Sequence, residues 1–341
     1  MKGRQVTIKD IARQLNISPA TVSRALKDHP DISKSTKKAV VELAASLNYQ
    51  PNSIALSLRS KRTYTIGVIV PEIIHFFFSS AISGIEDVAY QAGYNVIICQ
   101  SNESYEREVS NVNTLINNRV DGILISVSKN TKDTTHLKKI TDLGIPLVFF
   151  DRVCDDIDAH KVIVEDEKGA YEAVKHLIDQ GYKKIAHLAG PETLIISKNR
   201  INGYVKALKD HHIEVDESLM MEADNKEAGM EAMKKLLARP DRPDAIFTVN
   251  DNAAIGALQV IKRAGYKVPE DIALIGFSDD QKITSLVEPH LSSIAQPAFK
   301  IGQTAGELFL KQIETPEPNK YEKIILDTEL IVRASSDFSK N

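Results

Sequence analysis

From Tyr64 onward, short apolar runs alternate with amphipathic segments, and this alternation restricts the possible architecture more than any other feature. The runs are Ile66–Val70, Val96–Cys99, Gly122–Ser126, Pro146–Asp151, Val162–Val164, Lys184–Leu188, Ala245–Val249 and Ile272–Phe277. Helical stretches such as Ser79–Ala92 and Lys168–Gln180 lie between them. Nearly continuous apolar strands separated by helices form parallel, doubly wound sheets that are covered on both faces. The pattern occurs twice. Arg119-Val120-Asp121-Gly122-Ile123-Leu124-Ile125 answers Arg242-Pro243-Asp244-Ala245-Ile246-Phe247-Thr248, and Gly144-Ile145-Pro146-Leu147-Val148 has its counterpart between Gly265 and Ile275. Two similar α/β lobes leave a cleft where the carboxyl ends of their strands face each other, which is where such sheets bind ligands.

The first sixty residues follow a different rule. Thr7 to Asp10 has the form of a capping box, and Ile8, Ile11, Ala12 and Leu15 repeat at helical spacing. Asn16 tolerates the left-handed backbone of a tight turn. Ser18 is a good N-cap, and Pro19 at the first helical position lacks only an N–H that would go unused there. Val22, Ala25 and Leu26 form an apolar face, while Ala20, Thr21, Ser23 and Arg24 form a small, hydrogen-bonding one. Two such helices joined by about three residues are a helix-turn-helix, whose second helix suits the DNA major groove. A third helix follows from Ser33, with Val40, Leu43, Ala44 and Leu47 on its buried stripe. A generic helical hairpin would show the same periodicity without the basic surroundings.

Charge supports the nucleic-acid reading. Residues 1–63 hold 12 Lys+Arg and 4 Asp+Glu, net +8; against chain totals of 43 and 46, residues 64–341 hold 31 and 42, net −11. A basic head on an acidic body places the polyanion-binding surface on the head alone. Cys99 and Cys154 have neither metal-ligand spacing nor a disulfide framework, and no metal or other cofactor is expected. The polar start Met1-Lys2-Gly3-Arg4-Gln5 is unlike a secretory leader, and no stretch has the length of a membrane span, so a cytoplasmic protein is expected.

Between head and body, Pro51 can open a helix on which Ile54 and Leu58 share a face. At about two turns it is too short to be stable alone in water, so it needs DNA, a second copy of itself, or both. A plain linker is the alternative.

These stretches together resemble the lac-repressor-like (LacI/GalR) family of bacterial transcription regulators. The most specific are Val6-Thr7-Ile8-Lys9-Asp10-Ile11-Ala12, Ser18 through Arg24, Leu47-Asn48-Tyr49-Gln50-Pro51-Asn52, Arg200-Ile201-Asn202-Gly203-Tyr204, Asn250-Asp251 and Ile275-Gly276-Phe277. The resemblance runs from Val6 to about Arg333. It implies a helix-turn-helix head (1–48), a hinge helix and linker (49–63), and a body (64–341) shaped like a two-lobed periplasmic binding protein with two doubly wound parallel sheets. It further implies three crossings between lobes, with lobe 1 near 64–160 and 292–322 and lobe 2 near 161–291 and 323–341. The function implied is a DNA-binding regulator, acting as a repressor on a palindromic operator of double-stranded DNA as a homodimer. A small-molecule effector in the cleft, a sugar or sugar derivative, would control it. No leucine heptad follows Arg333, so a dimer rather than a tetramer is expected.

The resemblance also assigns residues. Pro19, Ala20 and Arg24 fall at base-reading positions. Arg24 can pair with guanine O6 and N7, or alternatively meet a phosphate, while Pro19 and Ala20 can only pack, for instance against a thymine methyl. Thr7, Thr21, Ser23 and Ser33 suit phosphate contacts. In the hinge, Leu58 would be an apolar wedge in the minor groove, with Ala55 against the groove floor and Arg59 beside it; dimer packing alone is the other role open to Leu58. In the cleft, effector contacts fall on His75, Phe77, Ser126, Asp151, Arg152, Arg200, Asn250 and Asp251. An aromatic face with planar polar groups suits a polyol. A surface salt bridge is the other role open to Arg200, a structural ion pair the other role open to Asp151-Arg152, and a structural role is open to His75. Where the family often has Asp after the late Gly-Phe, this chain has Ser278, then Asp279 and Asp280, so Ser278 and Asp279 are carried as candidates. Glu165 likewise stands where Asp is usual.

Two rival classes share the doubly wound pattern. For a dinucleotide or nucleotide enzyme, no two of the 16 glycines are separated by a single residue, and neither a phosphate-binding loop, H-E-x-x-H nor G-x-S-x-G occurs. A transported-solute binding protein would need a leader and no helix-turn-helix.

Overall fold

The computed structural model describes residues 6–49, 62–315 and 320–337, and the chain separates into two compact units at Tyr64/Thr65. The expected hinge helix, with Ala55, Leu58 and Arg59, lies outside the described residues.

The head holds α1 (Ile8–Gln14), α2 (Pro19–Leu26) and α3 (Lys34–Ser46) around a small core of Ile11, Ala12, Val22, Ala25, Val40 and Ala44. Its helix starts are set by side chains. The Thr7 N–H and hydroxyl both donate to the Asp10 carboxylate, at 3.0 and 2.7 Å. Ser18 Oγ accepts from Thr21 N at 3.0 Å, and Ser33 Oγ from Thr36 N at 3.2 Å. Asn16 takes φ 52° in the turn between α1 and α2.

The body contains β1 (Thr65–Val70), α4 (Phe76–Gln91), β2 (Asn95–Gln100), α5 (Tyr105–Asn117), β3 (Gly122–Ile125), α6 (Thr135–Asp142), β4 (Leu147–Phe150) and β5 (His160–Val164). There follow α7 (Asp166–Asp179), β6 (Ile185–Ala189), α8 (Ile195–Asp210), β7 (Met220–Glu222), α9 (Lys226–Leu237), β8 (Ala245–Thr248), α10 (Asp251–Arg263) and β9 (Ala273–Ser278). The chain closes with α11 (Gln281–Thr284), β10 (Ser292–Ala295), α12 (Ala298–Glu314), β11 (Lys323–Leu326) and β12 (Glu329–Ile331). The two six-stranded sheets run β11-β5-β4-β3-β1-β2 and β12-β10-β9-β8-β6-β7. The second order reproduces the first strand for strand, so the internal repeat read from β3 and β8 is a repeat of whole lobes.

Sheet topology moves the lobe boundaries. β5 pairs with β4, so lobe 1 continues through Val164 rather than ending at 160. β10 pairs with β9, so Ser292–Ala295 belongs to lobe 2 rather than lobe 1. β11 pairs with β5, so Lys323–Leu326 belongs to lobe 1 rather than lobe 2. The three crossings fall at about 165, 296–297 and 327–328. One sheet also departs from the all-parallel expectation: β12 runs antiparallel to β10, an edge strand reached by a short turn from β11.

Each lobe is a sheet between helices. In lobe 1, α4 and α12 cover one face with Ile82, Ile85, Ile301, Ala305 and Phe309 in the core, and Val112, Leu115, Leu137 and Ile140 from α5 and α6 fill the other. In lobe 2, α9 and α10 pack over Leu188, Ile246 and Leu274, and α7 and α8 over Ile185, Phe247 and Ile275. α4 and α12 cross so closely that a Cβ on Gly302 would stand 1.9 Å from the Ala81 carbonyl oxygen, so only glycine fits that contact. Among the described residues no helix is long and apolar enough to cross a membrane.

Candidate functional site

Two surfaces carry the sequence-derived candidates, one on each unit. On the head, Pro19, Ala20 and Arg24 are exposed along the outer side of α2, opposite buried Val22 and Ala25. Among the described residues the Arg24 guanidinium has no hydrogen bond or ion pair, which leaves its planar fork available for a base edge. Thr21 and Ser23 are half-buried on the same helix. The hydroxyls of Thr7, Thr21 and Ser33 already serve helix starts: Thr7 Oγ1 donates to Asp10, Thr21 Oγ1 lies 2.8 Å from Ser18 Oγ, and Ser33 Oγ accepts an amide. The backbone N–H groups of Thr7, Thr21 and Thr36 are likewise held by the Asp10, Ser18 and Ser33 side chains.

On the body, a cavity of about 620 Å³ opens between the lobes at the carboxyl ends of their strands. Lobe 1 contributes His75, Phe76 and Phe77 after β1, Glu103 after β2, Lys129 after β3, and Asp151-Arg152 after β4. Lobe 2 contributes Ser197 and Arg200 from α8, Asp224 and Asn225 after β7, Asn250, Asp251 and Asn252 at the start of α10, and Ser278 and Asp280 at the end of β9. Gln296, on the second crossing, completes the wall.

Arg200 is only 4 % exposed. It belongs to a buried network rather than a surface salt bridge. Its Nε and Nη2 approach Asp166 Oδ1 at 2.8 and 2.7 Å, its Nη1 donates to the Val249 carbonyl at 2.5 Å, and its guanidinium carbon lies 3.7 Å from the Phe277 ring centroid. Three of its five N–H groups are thereby used, and one on each terminal nitrogen is left for a ligand. Asp251 Oδ1 accepts from Ser293 Oγ at 2.6 Å and Oδ2 from Asp280 N at 2.8 Å; burial nevertheless pushes its carboxyl up to about 7. Burial also raises Asp151, to about 6, against the opposing pull of Arg152 and Arg200. Asn250 Oδ1 caps α10 through Ala253 N, and its Nδ2 donates to the Asp224 carbonyl at 2.7 Å.

Across the cleft, His75 Nδ1 lies 3.2 Å from Asn252 Nδ2 while its Nε2 lies 2.6 Å from Glu72 Oε2. With an amide nitrogen on one side and a carboxylate on the other, the imidazole accepts at Nδ1 and donates at Nε2. Lys129 Nζ reaches Asp224 Oδ2 at 2.5 Å. Both contacts join one lobe to the other.

Eight of the ten cleft candidates line this cavity. Ser126 and Asp279 do not. Ser126 is fully buried behind the wall, its hydroxyl 3.4 Å from Asp151 Oδ2, so it supports Asp151 from below. Asp279 turns inward to Arg333, at 2.7 and 3.1 Å, and to Thr284. The acidic group after β9 that faces the cavity is Asp280. Ser278 at φ 120° and Asp279 at φ 54° hold this turn in backbone conformations that L-residues rarely adopt, and Asp151 at φ 60° does the same on the opposite lobe. Sequence reading missed Gln296, Asn225, Asn252, Lys129 and Glu103. Only Asn225 left a signal, as a good N-cap before an amphipathic run.

Two family models match the chain: that of bacterial regulatory proteins of the lacI family over residues 7–52, and that of periplasmic binding proteins and the sugar-binding domain of the LacI family over residues 63–332. The probable HTH-type transcriptional repressor ExuR of Bacillus subtilis (strain 168) is 37% identical over 335 residues, covering 97% of this chain and 98% of that protein. The lac repressor dimer bound to operator and the anti-inducer ONPF superposes with a TM-score of 0.85 at 27% identity, covering 98% of this chain and 99% of the other. A complex of the transcriptional regulator CelR with cellobiose superposes at 0.73 with 27% identity, covering 97% and 100%. Such relatives are regulators, not enzymes. With a matching head, a matching body and full-length relatives in the same order, this chain belongs to the LacI family of bacterial transcriptional regulators.

Proposed function

We propose that this chain is a repressor whose homodimer binds a palindromic operator in the cytoplasm and whose DNA affinity is set by a carbohydrate held between the lobes. The observation that supports it most is the cavity itself. It is built from the strand ends of both lobes, so a ligand there has different contacts in open and closed arrangements, and a ligand shifts an equilibrium only by such a difference. In the head, Arg24 reads a guanine, Pro19 and Ala20 pack on the groove wall, and Thr7, Thr21, Ser23 and Ser33 position the phosphates. In the hinge, Leu58 wedges into the minor groove between Ala55 and Arg59. In the cleft, Arg200, Asp251 and Asn250 meet hydroxyls from one side, His75, Asp151 and Arg152 from the other, and Phe77 supplies an apolar face for a sugar ring. The operator and carbohydrate complexes among related structures support both ligand classes.

Selection from a random duplex pool tests the DNA half. Enrichment of two inverted half-sites is the expected result. Enrichment of a single unrepeated site, or none, would overturn the dimeric operator reading.

A further inference from the structure

The cleft is bridged by the protein's own side chains at two separate strand ends. After β3, Lys129 Nζ reaches Asp224 Oδ2, beyond β7, at 2.5 Å, and Thr193 Oγ1, beyond β6, donates to the Lys129 carbonyl at 3.0 Å. After β1, His75 Nδ1 accepts from Asn252 Nδ2 at 3.2 Å, and the Phe76 ring centroid lies 5.5 Å from Lys282 Nζ. Each contact has one partner in lobe 1 and the other in lobe 2. A rotation at the three crossings that opened the cleft would break these contacts and leave the chain path intact.

An ion pair between flexible, exposed side chains contributes little, because both must be ordered and water competes for them. Lys129–Asp224 differs on both counts. Its side chains are only 27 % and 21 % exposed. The backbone on each side is already fixed. In lobe 1, Glu103 accepts from Lys129 N through Oε2 at 2.8 Å and from Asn130 Nδ2 through its carbonyl at 2.7 Å. Fully buried Glu108 accepts from Ser128 N at 2.6 Å and from Thr131 Oγ1 at 2.8 Å, which pins the same loop from below. In lobe 2, the Asp224 carbonyl accepts from Asn250 Nδ2 at 2.7 Å and Asp224 Oδ1 from Asn225 Nδ2 at 3.1 Å. Little is left to order when the two ends meet, so this pair keeps more of its attraction than a free surface pair.

We propose that Lys129 and Asp224 form a latch that biases the two lobes toward the closed arrangement before any effector arrives, and so sets the equilibrium on which effector and operator act. A ligand that binds only the closed lobes has an apparent Kd equal to its intrinsic Kd divided by the closed fraction. Loss of the latch therefore weakens such a ligand even where neither residue touches it. That regulatory consequence rests on the function proposed above, whereas the latch itself concerns the lobes alone.

Interlobe distances in the full chain, with neither sugar nor DNA present, test the latch. Spin labels are placed at Ser110→Cys on α5 and Lys235→Cys on α9, exposed sites on different lobes, in a background carrying Cys99→Ala and Cys154→Ala. Labelled chain is diluted with unlabelled chain, so that only distances within one chain are read by pulsed electron resonance. The expected result is a resolved closed-lobe distance in the parent, whose population falls several-fold in favour of a second distance in Lys129→Ala and in Asp224→Ala. The double variant should open no further than either single one, since the bridge is already gone. Lys129→Gln, which keeps the stem and loses the charge, should behave like the alanine variants and replaces them if they fail to fold. Identical distance distributions in the parent and the folded variants overturn the latch, and so does a double variant in which the two single effects add. Both results hold whatever the protein binds. Failure of the operator selection described above overturns the repressor reading and leaves the distance result standing.

Discussion

Replacing Arg200 by alanine should do more than weaken a ligand contact. The guanidinium neutralises Asp166, which is 2 % exposed, and it also holds the Val249 carbonyl and stacks on Phe277. Breaking a buried ion pair by removing one partner typically costs about 3–5 kcal/mol, because the remaining charge has neither water nor counter-ion. The loss of the desolvated cation–π contact adds to this on the order of 2 kcal/mol. Relaxation and water entry into the enlarged cleft offset part of the sum, so Arg200→Ala should lower the stability of the body by about 4 kcal/mol, a large fraction of the ~5–15 kcal/mol typical of folded domains. The reasoning also fixes the coupling. Asp166→Asn removes the stranded charge, so the double variant should be more stable than the two single effects predict, by up to about 3 kcal/mol. Urea unfolding followed by far-UV circular dichroism suits the measurement, since the chain has no tryptophan. Arg200→Ala within about 0.5 kcal/mol of the parent, or single effects that simply add, would refute the buried-pair account. If the account holds, Arg200→Ala cannot isolate effector binding, and Arg200→Lys is the gentler probe.

Three further outcomes follow from named contacts. Asp251 is pushed up to about 7 by burial, so the folded state binds a proton more readily than the unfolded one; stability from this group is present at low pH and is lost as pH rises from about 4 through 7. The stability of Asp251→Asn relative to the parent should therefore rise by up to about 4 kcal/mol between pH 4 and pH 8, and a pH-independent difference in urea titrations would contradict it. Gly302→Ala places a Cβ against the Ala81 carbonyl and should destabilise lobe 1 by about 1–3 kcal/mol, read as a lower unfolding midpoint. Arg24→Ala should cost about 1–3 kcal/mol on the selected operator and relax discrimination at one base pair per half-site, whereas equal losses on specific and random DNA would exclude base readout.

Local signals were legible where a single side chain decides the structure. Ser18, Pro19 and Asn16 mark the turn and the start of α2, and the apolar runs mark the central strands, because a strand buried on both faces can carry little else. The crossings were harder. Whether His160–Val164, Ser292–Ala295 and Lys323–Leu326 join the first or second sheet is decided by long-range pairing, which leaves no local trace in those residues. β7 is three residues long and has no periodicity to detect. The cavity was half legible for a similar reason. Strand ends predict where a wall will be, but a one-residue change of direction sends Asp279 to Arg333 and leaves Asp280 lining the cavity. Gln296, Lys129 and Asn252 entered the wall through the closing of two lobes, which a linear pattern does not encode.

The central claim is that cavity and operator are thermodynamically coupled, and reciprocity tests it most directly. Operator Kd is measured with and without a saturating concentration of the carbohydrate that binds the body, and carbohydrate Kd is measured with and without saturating operator. The account predicts that both change by the same factor, about 5- to 150-fold, since one coupling free energy governs both equilibria. An operator affinity that does not move when the cavity is full would contradict it.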